Sequence, residues 1–236
     1  MRICVVVPTF EHHRALEAVV RGCSAHAEAC IVVDDGSGAS AAQAIRTIVE
    51  NTDACLVRRT RNGGKGAAVF DGLREARRLG FTHAVQVDAD GQHDLDALVA
   101  LLDAARANPA ALVLGAPRFD ETAPRARLRA REICKFWVDV ETGRGIIEDP
   151  MCGFRVYPVD AALAAGVRGR RMEFDPEIAV RLVWAGVPVA NVPVQVRYAA
   201  NGESHFRPVE DNLRISWMHT RLMTRLVLGR LLRWAR

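Results

Sequence analysis

"AVQVDADGQHD", residues 84–94, begins as alternating apolar residues and ends in acids gathered around a glycine. One reading is a solvated turn whose Asp side chains bond their own backbone. The other is the carboxyl end of a buried strand, where hard oxygen ligands hold a divalent cation. The neighbouring sequence decides between them. "RICVVVP" (2–8) is a β-branched run with no polar alternation, as in a strand buried on both faces, and it leads into Pro8-Thr9 and Glu11. "CIVVDDGS" (30–37) is a second such run, ending in Asp34-Asp35-Gly36-Ser37. Acids at three strand ends converge on one edge of a parallel sheet, which independent turns would not favour.

The intervening stretches are helical. Residues 12–26, 39–51, 63–80 and 94–107 carry helical patterns, and "DACLVRR" (53–59) and "ALVLGAP" (111–117) complete five strands. Strands alternating with helices of 10–18 residues predict an α/β fold around a mainly parallel sheet flanked by helices, with ligands bound beyond the strands' carboxyl ends. After residue 117 the alternation stops. Residues 118–132 read as an Arg-rich loop, 133–142 as a helix, and 149–158 as a loop entering a strand. A helix is expected over 173–186, with Pro176 tolerated in its first turn. "VPVANVPVQVRY" is strand-like, and its prolines place it at an edge.

Composition sets the class. The 236 residues are half apolar and one quarter charged, as in a soluble globular protein with a sizeable core. The six cysteines form no CxxC pair and lie mostly in apolar stretches, which predicts buried reduced thiols and a cytoplasmic compartment. The N-terminal apolar run is too short for a signal peptide, and no segment reaches the roughly 18 apolar residues of a spanning helix. The net charge of +4 is unevenly spread. Beyond Asp211 there is no acid, while Arg214, Arg221, Arg225, Arg230, Arg233 and Arg236 accumulate. Such asymmetry points to an anionic partner: membrane, nucleic acid or phosphorylated ligand.

"VVVPTFEH", "IVVDDGS", "RNGGKGAA", "VQVDADGQHD", "DPMCGFR" and "FDPEIAVR", in this order and spacing, resemble the family-two inverting glycosyltransferases of the GT-A (nucleotide-diphospho-sugar transferase) fold. The resemblance spans about residues 1–205 and is nearest to the dolichol-phosphate mannose synthase branch with its bacterial polyisoprenyl-phosphate relatives. The segment "SHFRPVEDNLRISWMHTRL" is similar to glycosyltransferases found with bacterial aryl-polyene pathways. The ordered set is specific, although each piece alone is weak. Cys152 stands where the family pattern usually has Ser.

The resemblance implies transfer of one sugar from a UDP- or GDP-linked donor to a lipid-linked or other hydroxyl or phosphate acceptor. It makes Asp90 the direct ligand of Mg²⁺ or Mn²⁺, with Gln92 beside it and Asp88 on the ribose or bound through water. Pro8, Thr9, Glu11 and Asp35 would hold base and ribose, with Lys65 near the nucleotide. Asp149 in "DPMCGFR" is the candidate general base, or an orienting group if the acceptor is an already ionised phosphate. Arg118, Arg155 and His205 are candidates for phosphate contacts. Asp175 and Glu177 open a helix, where the dipole favours acids anyway, and are expected behind the site. "NGGKGAA" is no Walker A motif, since Lys65 precedes Gly66 rather than Ser or Thr. The QxxRW signature of processive synthases is absent.

Residues 1–117 would thus bind the sugar nucleotide, 118–209 form the acceptor side of the same domain, and 210–236 a basic amphipathic helix. That helix suits an anionic membrane surface on the cytoplasmic side, and no nucleic-acid partner is expected. The other reading of the tail is a docked helix or a homodimer contact. A sugar-nucleotide nucleotidyltransferase would show a Gly-rich loop after the first strand, where this chain has "PTFEH". A non-catalytic nucleotide-binding scaffold is the third possibility, against which Asp88, Asp90, Gln92 and Asp149 all speak.

Overall fold

The β-branched run at the N-terminus becomes β1 (Ile3–Thr9), and β2 (Cys30–Asp34), β3 (Cys55–Arg58) and β4 (His83–Gln86) follow as expected. The remaining strands are β5 (Leu112–Phe119), β6 (Arg155–Pro158) and β7 (Val189–Val196). The computed structural model describes residues 1–91, 97–119, 125–196 and 207–234. Among these, the strands form one sheet in the order β3-β2-β1-β4-β6-β5-β7. Only β6 runs antiparallel to its neighbours, β4 and β5. The proline-bearing β7 is an edge strand, pairing only with β5, in parallel.

The helices are α1 (Leu16–Ser24), α2 (Ala39–Glu50), α3 (Lys65–Arg78), α4 (Ala97–Ala107), α5 (Arg125–Thr142), α6 (Val159–Ala164), α7 (Phe174–Trp184) and α8 (Pro208–Trp234). The period-two alternation of the strands sorts them into two layers. Cys4 and Val6 of β1 face a core shared with α3, α5, α6, α7 and α8. Val5 and Val7 face the other, shared with α1, α2 and α4. Both sides of β1 are fully covered, which is why its sequence shows no polar alternation.

Two expectations change. Residues 125–132 are not loop but the first turns of α5, because arginine is itself a good helix former and "RARLRAR" contains nothing that stops a helix. The C-terminal helix does not lie free. Asp211, Ile215, Met218, His219 and Leu222 form one buried stripe at helical spacing, docked on the body alongside α5. His219 Nδ1 meets the Glu141 carboxylate at 2.9 Å and Arg221 reaches Glu177 at 3.3 Å. The docked-helix alternative therefore describes this face.

Candidate active site

Strand order reverses at β1, since the chain builds β2 and β3 on one side of it and then returns to place β4 on the other. A crevice opens at such a switch point. Here it is a cleft of about 360 Å³, lined by Pro8 and Thr9 at the end of β1, Asp35 after β2, Lys65 of α3, and Asp88 to Asp90 after β4. Of the acids read from three strand ends, those after β2 and β4, Asp35, Asp88 and Asp90, meet in this cleft.

Each is held by local structure. Asp35 accepts the Gly63 and Gly64 N–H groups at 2.9 and 2.6 Å and pairs with Arg59 at 2.8 Å. Burial pushes its carboxyl up, against the pull of those N–H donors and Arg59. This carboxylate thereby fixes the "NGGKG" loop to the end of β2. A Cβ at Gly36 would sit 2.5 Å from the Arg61 backbone, so only glycine permits that approach. Thr9 spends its hydroxyl on the His12 carbonyl at 2.6 Å, closing the turn after β1. Glu11 lies outside the cleft lining; its carboxylate accepts the Gly38 N–H at 2.7 Å, at the N-terminus of α2 where an acid is favoured.

Lys65 joins two acids far apart in sequence. Its ammonium lies 2.8 Å from Asp88 and 2.9 Å from Asp175 in the first turn of α7. Burial alone would lower its proton affinity, but Asp175 and Asp88 more than offset this and hold it above the ordinary lysine range. Behind them, Asp175 accepts from Gln86 Nε2 at 3.2 Å, and Gln86 Oε1 accepts from Tyr157 at 2.9 Å. "DPMCGFR" packs directly against this pair. A Cβ at Gly153 would stand 2.5 Å from an Asp88 oxygen and 2.6 Å from Lys65 Nζ. Asp175, expected behind the site, is thus a cleft-lining partner of Lys65.

The donor set suits a hard divalent cation. Asp88 and Asp90 both line the cleft, and Asp88 turns both oxygens to Lys65, at 2.8 and 3.0 Å. Among the described residues no three His, Cys, Asp or Glu side chains converge to hold a metal by themselves. Two carboxylates at one strand end are the oxygen donors a Mg²⁺-type ion takes from protein, with substrate phosphates and water completing its shell. Gln92 and His93 lie outside the described residues, as does His205.

The cleft also has a basic wall: Arg127 and Arg131 of α5 and Arg207 before α8, with Arg171, before α7, packed against Gly64 of the Lys65 loop. None was singled out in the sequence, where only the arginine-rich character of 118–132 signalled part of this wall. Arg131 is held by both oxygens of Asp149, at 2.7 and 2.6 Å, and its guanidinium lies 5.1 Å from the Phe119 ring centroid. Asp149 also accepts the Met151 N–H at 2.8 Å. Asp149 itself is buried and does not line the cleft; Arg131 and Met151 do.

Both arginines expected at phosphate are elsewhere. Arg155 is completely buried, and its guanidinium donates to the carbonyls of Cys152, Pro150 and Asp175. As the first residue of β6 it turns inward and staples the "DPMCGFR" loop to α7. Arg118 is mostly exposed and pairs with Glu148 at 3.5 Å, away from the cleft.

Comparison with known proteins places this geometry. The sequence profile described as Glycosyl transferase family 2 matches residues 4–172. An undecaprenyl-phosphate mannosyltransferase of Micrococcus luteus is 24% identical over 214 residues, covering 86% of this chain and 87% of the relative. A polyprenol monophosphomannose synthase of Mycolicibacterium smegmatis is 28% identical over 207 residues, covering 82% and 76%. Among solved structures, glucosyl-3-phosphoglycerate synthase from Mycobacterium tuberculosis, in complex with Mn²⁺ and UDP-glucose, superposes with a TM-score of 0.69 at 17% identity, covering 96% of this chain and 78% of that one. The shared architecture is the GT-A fold.

Proposed function

The chain belongs to glycosyl transferase family 2 and is a glycosyltransferase, and from that premise we propose that it moves a single sugar, with inversion, from a UDP- or GDP-linked donor to a polyprenyl-phosphate lipid. One observation carries the acceptor class: four arginines line the same cleft as the Asp88–Asp90 strand end. Guanidinium forks match phosphate oxygens, and a neutral hydroxyl acceptor would need no such wall. The relatives named for undecaprenyl and polyprenol phosphates support the same reading.

In this reading the donor lies along the ends of β1, β2 and β4, its base near Asp35 and its diphosphate near Asp90. A Mg²⁺ or Mn²⁺ ion held by Asp90, with Gln92, would supply Lewis-acid neutralisation of the departing diphosphate. Lys65, fixed between Asp88 and Asp175, keeps one of the two β4 carboxylates turned inward and leaves the metal task to Asp90. Arg131, aimed by Asp149, binds the acceptor phosphate. An oxygen of that phosphate attacks the anomeric carbon from the face opposite the diphosphate. The new O–C bond forms as the bond to the β-phosphate oxygen breaks, which inverts the anomeric centre. The acceptor is already ionised, so Asp149 has no proton to remove, and its task is orientation. A lipid acceptor implies work at the cytoplasmic face of the membrane. No described helix is long and apolar enough to cross a membrane, so attachment would be peripheral.

The test is turnover of UDP- and GDP-sugars with Mn²⁺ and a detergent-solubilised polyprenyl phosphate. Nucleoside diphosphate should appear in step with a lipid-linked sugar of inverted anomeric configuration, and excess EDTA should stop both. Pyrophosphate release would mark a nucleotidyltransferase instead.

A further inference from the structure

Helix α5 has two functional sides. Of its 18 residues only Cys134, Val138 and Glu141 are buried, a stripe at i, i+4 and i+7 that seats it on the body. Arg127 and Arg131 turn into the cleft. The remaining side carries Ile133, Phe136, Trp137 and Val140, with exposures of 63, 60, 39 and 41%. Their spacing of i, i+3, i+4 and i+7 puts them on one outward stripe. Four large apolar groups left bare on a single helix face mark an interaction surface. Arg125 and Arg129 are exposed on the same side, about two turns and one turn before Ile133, with the exposed Glu132 beside them.

We propose that this outward face of α5 docks on an anionic bilayer, with its apolar stripe at the acyl boundary and Arg125 and Arg129 among the lipid phosphates. The charge decides the occupant. The exposed Glu132 beside the stripe answers only one of these two arginines, so the face keeps a net positive charge, to which an anionic leaflet supplies the complementary sign. Aromatic and aliphatic groups on one side with flanking arginines also fit a helix lying in the interface plane. α8 packs beside this helix, where the Trp137 ring lies 6.4 Å from that of His219, and Leu213 and Trp217 of α8 are exposed as well. The consequence for catalysis rests on the proposed lipid acceptor. A helix is only about 10 Å across, so a phosphate held by Arg127 and Arg131 has its lipid tail within one helix diameter of the docked stripe. The membrane then presents the acceptor at the mouth of the cleft.

The experiment is co-sedimentation of the full chain with vesicles of equal parts phosphatidylglycerol and phosphatidylcholine. The Ile133→Ser/Phe136→Ser double variant should bind at least about 10-fold more weakly than wild type. Its transfer to a vesicle-embedded acceptor should fall in step, while transfer to a short-chain, water-soluble prenyl phosphate stays unchanged. Arg125→Gln/Arg129→Gln should erase the preference over pure phosphatidylcholine vesicles. Wild-type vesicle binding by the Ile133→Ser/Phe136→Ser variant overturns the proposal. So does a wild-type dimer in solution that this variant converts to monomers, which would give the face to a second copy. If wild type transfers sugar to no phosphate acceptor yet loses vesicle binding with the α5 variant, the docking face stands and the acceptor reading falls.

Discussion

The two walls of the cleft are built by different means. On the side proposed to bind the donor, Asp35, Asp88 and Asp90 sit one or a few residues beyond strands paired in register, so the sheet itself delivers them. On the side proposed to bind the acceptor, Arg127, Arg131 and Arg207 come from a helix and a loop, aimed by side-chain partners such as Asp149. The first wall is anchored by the backbone hydrogen bonds of the sheet and reinforced by the Asp35–Arg59 and Lys65–Asp88 pairs. The second depends on ion pairs, so removing one member disturbs its neighbours. The difference predicts separable phenotypes: donor binding should fail on one side, and acceptor use on the other.

The largest effect should come from Asp90→Ala. Transfer should drop by several orders of magnitude, and metal-dependent tightening of nucleotide binding should vanish, with the melting temperature unchanged because the residue follows β4 in a turn. Wild-type turnover in this variant would remove the metal assignment. Next is Arg131→Ala, expected to lower turnover by about 100- to 1000-fold with nucleotide affinity kept. Asp149→Asn should reproduce part of that loss, and in the Arg131→Ala background it should add little, since both act as one unit. Additive losses would restore an independent role for Asp149 as a base.

Lys65→Met should cost about 3 kcal/mol of stability, by leaving the buried Asp175 and the partly buried Asp88 without their cation. The sign of its pH dependence follows from the raised lysine value. The folded state holds this proton more tightly than the unfolded chain, so the stabilisation is complete below about pH 10. It is lost only as pH climbs through the raised value. Denaturant titrations of wild type and Lys65→Met should therefore differ by a constant amount from about pH 6 to 9. The smallest effect concerns the thiols. Burial pushes Cys4 and Cys23 to about 12 and Cys152 to about 11. Only the half-buried Cys55 should react readily with a thiol reagent under native conditions, without loss of activity.

The donor wall was legible because its information is local. A buried strand and the acid after it are adjacent in sequence, and β-branched runs ending in Asp at residues 34 and 88 announce both. The acceptor wall was not, because facing is a tertiary fact. Arg155 lies in the same motif as Asp149, yet the register of β6 against β4 points it into the core, where backbone carbonyls satisfy it. Arg131 sits in a stretch whose charge reads as loop until α5 is seen to seat Cys134 and Val138 on the body. The tail shows the same limit. A stripe of Ile215, Met218 and Leu222 is equally suited to lipid or protein, and packing on the body decides for protein.

The division of labour between the walls is tested most directly by calorimetric titration of nucleoside diphosphate with Mn²⁺ into the Asp90→Ala and Arg131→Ala variants, each paired with single-turnover transfer to a polyprenyl phosphate. The account predicts that Arg131→Ala binds nucleotide as wild type does but transfers slowly, and that Asp90→Ala loses the metal-dependent part of binding along with transfer. Equal loss of nucleotide affinity in both variants would contradict it.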